Sequence, residues 1–562
     1  MTDNPNLRTG GQILVDQLRI HGADTIFCVP GESYLATLDA LFDVQNDIKL
    51  VVCRQEGGAA YMAEAYGKLT GKPGICFVTR GPGATNASLG IHTAHQDSSP
   101  VILLVGQVGR AMMDREAFQE VNFREMYAPL SKWVTQIDDP NRIPEVLSRA
   151  FHVATSGRPG PVVIALPEDM QKEKASVNDA VRYKPINPAP PPEAMVQLKE
   201  MLDQAQRPFV ILGGSGWTQE SCNDFVKFAE NFDLPVGAAF RRQDLIDNRH
   251  PNYAGDVGLG INPPLAKRLQ ETDLLIVVGA QMTETITDGY ERFAIPCPSQ
   301  TLVHIAAGLD ELARVYEPEL AIHSGMANFA AAAKALKAPN SVPWSNLTRA
   351  ARADQDGNVT IPDMKGDVDL GSIIQWLGER LPDDAIIANG AGNFSNWVHR
   401  FYPYRSYPTE LAPQSGSMGY GVPAAVAAKT VHPDRIVVSF SGDGDFLMCG
   451  QEIATARQYN LGIVFVVVNN STYGTIRMHQ EKFYPGRVSG TDLINPDFAA
   501  LGKAFGLTGE VVKRTEEFAP AFEKALESGG PAMIEIRVEQ DQISPRATLS
   551  GLREAGLAAQ KG

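Results

Sequence analysis

Apolar residues along this chain gather into short runs separated by helical patterns. In the first third, runs at residues 25–28, 49–52, 74–79, 101–105 and 162–165 are apolar on both faces. Such runs, each followed by a helix-period segment, predict parallel strands covered by helices on both sides. The same alternation returns at residues 208–212, 234–237, 274–278 and 301–305, and again at 385–388, 435–439, 463–469 and 532–537. Residues 184–192 carry five prolines and predict an extended linker, and the polar stretch 337–367 reads as a second linker.

The expected fold is therefore α/β, with three doubly wound parallel-sheet domains at residues 1–183, 193–337 and 365–562. A length of 562 residues agrees with this division. No repeat is visible in the sequence, although the first and third units could share a fold. A formal charge of −15 argues against a nucleic-acid partner, which needs a basic face to displace counterions. It leaves room for a small anion held by a locally positive spot. The polar start, residues 1–11, lacks the basic-then-apolar pattern of a signal peptide, and runs such as 100–106 and 463–468 are too short to span a bilayer. A cytoplasmic protein is expected. The six cysteines (Cys28, Cys53, Cys76, Cys222, Cys297, Cys449) form no close pair and read as free buried thiols.

Chemistry concentrates in residues 436–474. A predicted strand runs into Ser441-Gly442-Asp443-Gly444, and the next strand runs into Asn469-Asn470, with Gly474 just beyond. Parallel strands present ligands at their carboxyl ends, so both clusters belong on one rim of a sheet. Glycines beside Asp443 let backbone amides approach phosphate oxygens. A carboxylate (Asp443), an amide oxygen (Asn470) and a backbone carbonyl such as that of Thr472 make a hard oxygen shell suited to Mg2+ on a diphosphate. Two tight turns closing strands are the competing explanation; the paired clusters weigh against it.

Gly442-Asp443-Gly444, then Asn469-Asn470 about two dozen residues on, resembles the thiamine-diphosphate signature. The resemblance extends over nearly the whole chain and points to the acetolactate-synthase-like group. It is carried by Gln55-Glu56-Gly57-Gly58-Ala59-Ala60, Gly81-Pro82-Gly83-Ala84-Thr85-Asn86, Phe118-Gln119-Glu120, Arg158-Pro159-Gly160-Pro161 and Gly416-Ser417-Met418-Gly419-Tyr420-Gly421. It implies pyrimidine-binding, central and diphosphate-binding domains, in that order. It also implies that Glu56 bonds the cofactor's pyrimidine ring and promotes loss of the thiazolium proton. A carboxyl after a buried strand and among small residues should have a raised pKa. By the same resemblance Met418 wedges beneath the cofactor. Asn393, Gly416, Gly442, Gly444, Asp445, Thr472, Gly474, Thr475 and Ile476 join Asp443 and Asn470 in holding it, although Asn393-Phe394 replace the expected glutamine and histidine.

The implied reaction decarboxylates a 2-oxo acid and joins the remainder to a second carbonyl. Simple decarboxylation and hydrolysis of a diketone are the alternatives. Decarboxylases of the family carry a His-His pair, absent here; His92 and His95 read as helix residues near the site, while Gln119 matches the ligase branch. Glu32, Glu168 and His479 depart from acetolactate synthases, the last where a tryptophan shapes the acceptor pocket. His479 and Arg477 could recognise a polar or anionic substrate, or Arg477 could lie on a solvated helix surface. FAD is not expected in the central domain: Gly279-Ala280 is followed by Gln281-Met282 where an arginine belongs, and the strand ending Ala306-Ala307-Gly308 lacks an acidic residue. Gly213-Gly214-Ser215-Gly216 reads as a strand-end turn. The partners implied are a 2-oxo acid, a carbonyl acceptor and a second copy of the chain, as a homodimer or homotetramer with active sites at the subunit interface.

Overall fold

The computed structural model describes residues 7–560; residues 1–6 of the polar start and 561–562 lie outside the described residues. One compact unit comprises the chain to Ile186 with Val426–Val431, and the other comprises Asn187–Ala425 and the chain from His432. Three six-stranded sheets, parallel throughout, carry the fold. No helix among the described residues is long and apolar enough to cross a membrane.

The sheet of the first unit contains Thr25–Cys28, Lys49–Val52, Gly74–Val78, Val101–Gln107, Trp133–Gln136 and Pro161–Pro167. Counted as they occur in the chain, these lie in the order 2-1-3-4-6-5. Its four inner strands are buried throughout, as the unbroken apolar runs require. Helices Glu56–Thr70 and Pro82–Asp97 pack closely through small residues. A Cβ on Gly90 would lie 2.4 Å from that of Ala60, so only glycine permits this approach. A buried ion cluster locks the pair: Lys68 Nζ lies 2.5 Å from Asp97 Oδ2 and 3.3 Å from Glu64 Oε1, and Ser99 donates to the same Glu64 oxygen at 2.6 Å.

The second unit holds two sheets. The central one runs through Pro208–Leu212, Val236–Ala239, Tyr253–Val257, Leu274–Val278, Thr301–Ala306 and Leu320–His323 in the order 3-2-1-4-5-6, the doubly wound dinucleotide-fold order. The last contains Ile386–Asn389, Glu410–Leu411, Val437–Gly442, Ile463–Asn469, Thr508–Val512 and Ala532–Arg537, again in the order 2-1-3-4-6-5. The first and last sheets thus share a topology that the sequence shows no repeat to announce.

Two expectations need correction. The stretch 337–367 is not simply a linker: Ser345–Asn358 is a helix packed on the strand Tyr253–Val257. Trp344, Thr348, Ala351 and Gln355 are buried at helical spacing, with Trp344 Nε1 donating to the carbonyls of Phe232 and Asp233 at 2.9 and 3.0 Å. That stripe mixes polar and small residues, so it lacks an apolar signature. The cysteines are all free, but Cys297 is exposed while the other five are buried.

Candidate functional site

In the first unit, Glu56 is the first residue of helix Glu56–Thr70, and Gln55 caps that helix by accepting the Gly58 N–H at 3.0 Å. The Glu56 carboxylate is half-buried and accepts a hydrogen bond from Asn86 Nδ2 at 2.9 Å. Asn86 stands on the first turns of helix Pro82–Asp97, whose start is shaped by glycine. Gly81 has φ +55°, and a Cβ there would come within 2.8 Å of Gln119 Cβ; one on Gly83 would lie 3.2 Å from Glu56 Oε1. Gln119, itself at φ +65°, therefore rests against the same helix start as Glu56. Glu168 pairs with Arg80 at 3.5 Å, Glu32 is exposed, and His92 and His95 lie on helix Pro82–Asp97.

In the second unit, the carboxyl end of the last sheet opens into a cavity of about 810 Å3. It is lined by Asn393, Gly416, Met418, Gly442, Asp443, Gly444, Asp445, Asn470, Thr472, Gly474, Thr475, Ile476 and His479. Every position expected in the diphosphate and metal set thus meets one space. The strand order explains why: Ile386–Asn389 and Val437–Gly442 are neighbours at the point where the order reverses, where open α/β sheets form their ligand crevice.

Asp443 is buried, and burial raises its pKa against the opposing effect of its hydrogen bonds. Its Oδ1 accepts the Gly444 N–H at 2.9 Å, and its Oδ2 accepts from Asn495 Nδ2 at 2.7 Å. Asn495 also donates to Asn469 Oδ1 at 3.0 Å, and Asn469 donates to buried Glu535 at 2.8 Å. The chain Asp443–Asn495–Asn469–Glu535 fixes the two strand ends relative to each other. Sequence reasoning missed Asn495, which lies in a loop with no motif around it. Asn470 Oδ1 accepts the Thr472 N–H at 3.2 Å, and Thr472 Oγ1 donates to the Thr491 carbonyl at 2.8 Å. Among the described residues no three His, Cys, Asp or Glu side chains cluster as a metal site. The donors available here are one carboxylate and neutral oxygens, a set that fits Mg2+ rather than a transition metal.

Asp445 has a different task. Its buried Oδ1 accepts the N–H groups of Gly419 at 2.8 Å and Ala391 at 3.2 Å, and burial pushes its pKa up to about 6. It ties the Met418 loop and the Asn393 loop to the Asp443 helix. Gly390 makes this possible, since a Cβ there would fall 2.1 Å from Asp445 Oδ1. Asn393 is buried and accepts from Thr475 Oγ1 at 2.9 Å. His479 is exposed at the cavity edge and stacks on Phe483, with ring centroids 6.0 Å apart. Arg477 turns elsewhere: its guanidinium lies 3.0 Å from Glu481 and 3.2 Å from Asp492.

At the rim of the central sheet, a Cβ on Gly214 would fall 1.9 Å from the Gly279 carbonyl, so these two strand-end turns pack on each other. The nearby cavity, lined by Gln281, His304, Glu311, Arg314 and Tyr316 among others, measures about 70 Å3. That is room for a few water molecules, whose share of liquid volume is about 30 Å3 each.

Known proteins match this chain domain by domain. Residues 8–126 match the thiamine pyrophosphate enzyme N-terminal TPP binding domain, residues 195–333 its central domain, and residues 390–536 its C-terminal TPP binding domain. The chain is 32% identical over 561 residues to an acetolactate synthase large subunit of Parasynechococcus marenigrum, covering 96% of this chain and 89% of that protein. It is 30% identical over 536 residues to the acetolactate synthase isozyme 2 large subunit of Escherichia coli, covering 94% and 96%. A Corynebacterium glutamicum acetolactate synthase large subunit is 30% identical over 567 residues, covering 96% and 88%. With three matching domains and relatives aligned over nearly their full length, the chain belongs to the thiamine pyrophosphate enzyme family, in its acetolactate-synthase-like group.

Proposed function

We propose that this enzyme uses Mg2+ and thiamine diphosphate to decarboxylate a 2-oxo acid and join the remaining acyl unit to a second carbonyl. The observation that carries the reading is the meeting of Asp443, Asn470 and Thr472 with Asn393, Gly416 and Met418 around one cavity at the strand-order reversal. Relatives aligned along nearly the whole chain are acetolactate synthases.

In this reading Asp443, Asn470 and the Thr472 carbonyl hold the metal, and the amides around Gly442 and Gly444 face the diphosphate. The bound cofactor supplies a carbon nucleophile and a sink for the electrons released with carbon dioxide. Glu56 holds a proton at the pyrimidine ring, and Asn86 orients that carboxylate. Asp445 sets the loop that carries Met418, so that the thioether would contact the bound cofactor. Gln119 and His479 face the acceptor. FAD is not part of this reading, because Gln281 stands where an arginine belongs and the strand Thr301–Ala306 ends without an acidic residue.

The working assembly is a homodimer or homotetramer in which Glu56 of one subunit serves the diphosphate loops of another, as the family resemblance implies. Exposed apolar side chains beside both half-sites support it: Phe118 next to Gln119, and Leu447 and Met448 on the Asp443 helix. Domain limits of 1–183, 193–337 and 365–562, with helix Ser345–Asn358 added to the central domain on which it packs, and a cytoplasmic location complete the proposal.

Incubating the purified protein with Mg2+, thiamine diphosphate and a panel of 2-oxo acids, alone and in pairs, tests it. Mass spectrometry should find a hydroxy-ketone product. Aldehyde as the sole product would replace ligation by simple decarboxylation, and no carbon dioxide from any acid would overturn the reading.

A further inference from the structure

Beyond the diphosphate loops, the same cavity is lined by Asn358, Arg400 and Arg546. Asn358 joins the two arginines: its carbonyl accepts from Arg400 Nε at 2.7 Å, and its Oδ1 accepts from Arg546 Nη2 at 2.8 Å. Arg546 is further held by the carbonyls of Gly260 and Ile261, at 2.9 and 3.1 Å from its Nη1. Neither guanidinium has a carboxylate within 4.0 Å among the described residues. Arg400 Nη1 is buried with no hydrogen-bond partner among the described residues. This differs from the usual pattern in the chain, where Arg477 and Arg553 both pair with Glu481.

The electrostatic consequence is a spot that lacks an anion. Burial, and then the neighbouring Arg546, lower the Arg400 pKa to about 10. Asp256 lines the same cavity but does not neutralise it, because burial and Glu410 push its pKa up to about 8 and leave it protonated near neutral pH. Glu539 also lines the wall; it is exposed and lies against Gly366. Two neighbouring guanidinium groups with unused donors match a planar two-oxygen anion.

We infer that Arg400 and Arg546, set by Asn358, form a carboxylate subsite of this cavity that selects a 2-oxo dicarboxylic acid by the carboxylate distal to its reacting carbonyl. The inference rests on the 2-oxo acid reading above. It gives the site a substrate class that the diphosphate loops alone do not specify. Arg477, committed to Glu481 and Asp492, is not the residue that does this.

Two measurements on the holoenzyme separate the subsite from the reaction. In the first, calorimetry compares glutarate with pentanoate, inert acids of equal length. Glutarate should bind roughly 10- to 100-fold more tightly, and Arg400→Gln and Arg546→Gln should each remove most of that preference. Equal binding of the two acids, or a preference that survives both substitutions, overturns the subsite. Because Arg546 is exposed, its variant remains informative should Arg400→Gln fold poorly. In the second, carbon dioxide release is compared for 2-oxoglutarate and 2-oxopentanoate, each as sole substrate and each as partner to the other. A preference in kcat/KM for the diacid as sole substrate, lost with either arginine, places the second carboxylate on the donor. A preference seen only when the diacid is the partner moves it to the acceptor and overturns the donor assignment. Arginine-dependent glutarate binding without turnover of any 2-oxo acid keeps the anion site but overturns the 2-oxo acid assignment. Turnover of monoacids with no glutarate preference does the reverse.

Discussion

The first and last sheets have the same strand order, yet their carboxyl rims have opposite characters. At the order reversal of the first sheet, Gly31 and Thr79 close on each other: a Cβ on Gly31 would lie 2.4 Å from that of Thr79. Its candidate acid, Glu56, opens instead the helix that follows the edge strand Lys49–Val52, half-buried and bonded by Asn86. At the same point of the last sheet the helix that follows strand Val437–Gly442 opens with two buried acids, Asp443 and Asp445, both with pKa values raised by burial. Topology therefore places a crevice, and the loops decide whether it is filled with a small side chain or left electrostatically short of a cation. A buried carboxylate without a full counter-charge is costly. Bound Mg2+ would remove that cost at Asp443, whereas Asp445 spends its charge on the amides of Gly419 and Ala391.

Substitutions can break this contrast between a chemical rim and an anchoring rim. Glu56→Gln should lower kcat by about a hundredfold or more, the scale of general acid–base catalysis, while cofactor affinity stays within a few fold. Steady-state rates beside a fluorescence titration would check it, and full activity would remove Glu56 from the mechanism. Asn495→Ala cuts the link between Asp443 and Asn469 while leaving every proposed ligand residue in place. Loss of an outer partner of this kind should weaken Mg2+-dependent cofactor binding by about 10-fold, with kcat at saturation little changed. Gly90→Ala should cost about 1–3 kcal/mol of stability by forcing apart the helices that carry Glu56 and Asn86. Thermal unfolding of the apoprotein would show it, and an unchanged Tm would mean that this helix pair yields easily.

The sequence showed the interior of each sheet and missed most of its margins. Trp133–Gln136, Tyr253–Val257, Leu320–His323, Glu410–Leu411 and Thr508–Val512 escaped prediction, and all five are edge strands. An edge strand pairs on one side only and tolerates polar residues, so its alternation is weak; Thr508–Val512, with three half-buried positions, is one case. Predicted central strands fell within three residues of the observed ends, the widest gap being 435–439 against Val437–Gly442. That residues 442–445, 470 and 472–476 meet at one cavity was legible because they lie close in sequence to the strands that present them. Asn495, Asn358 and the arginines of the cavity were not legible. They reach it from loops and helix ends distant in the chain, and only folding brings them together.

The central claim is that the last sheet's rim holds thiamine diphosphate through a metal at Asp443. Calorimetric titration of the apoprotein with thiamine diphosphate, with Mg2+ and then with the metal chelated, tests it most directly when repeated on Asp443→Ala. The account predicts binding that depends on Mg2+ in the natural chain and falls by about 100-fold or more, roughly 3 kcal/mol, in the variant. Affinity that is indifferent to both the metal and the substitution would contradict it.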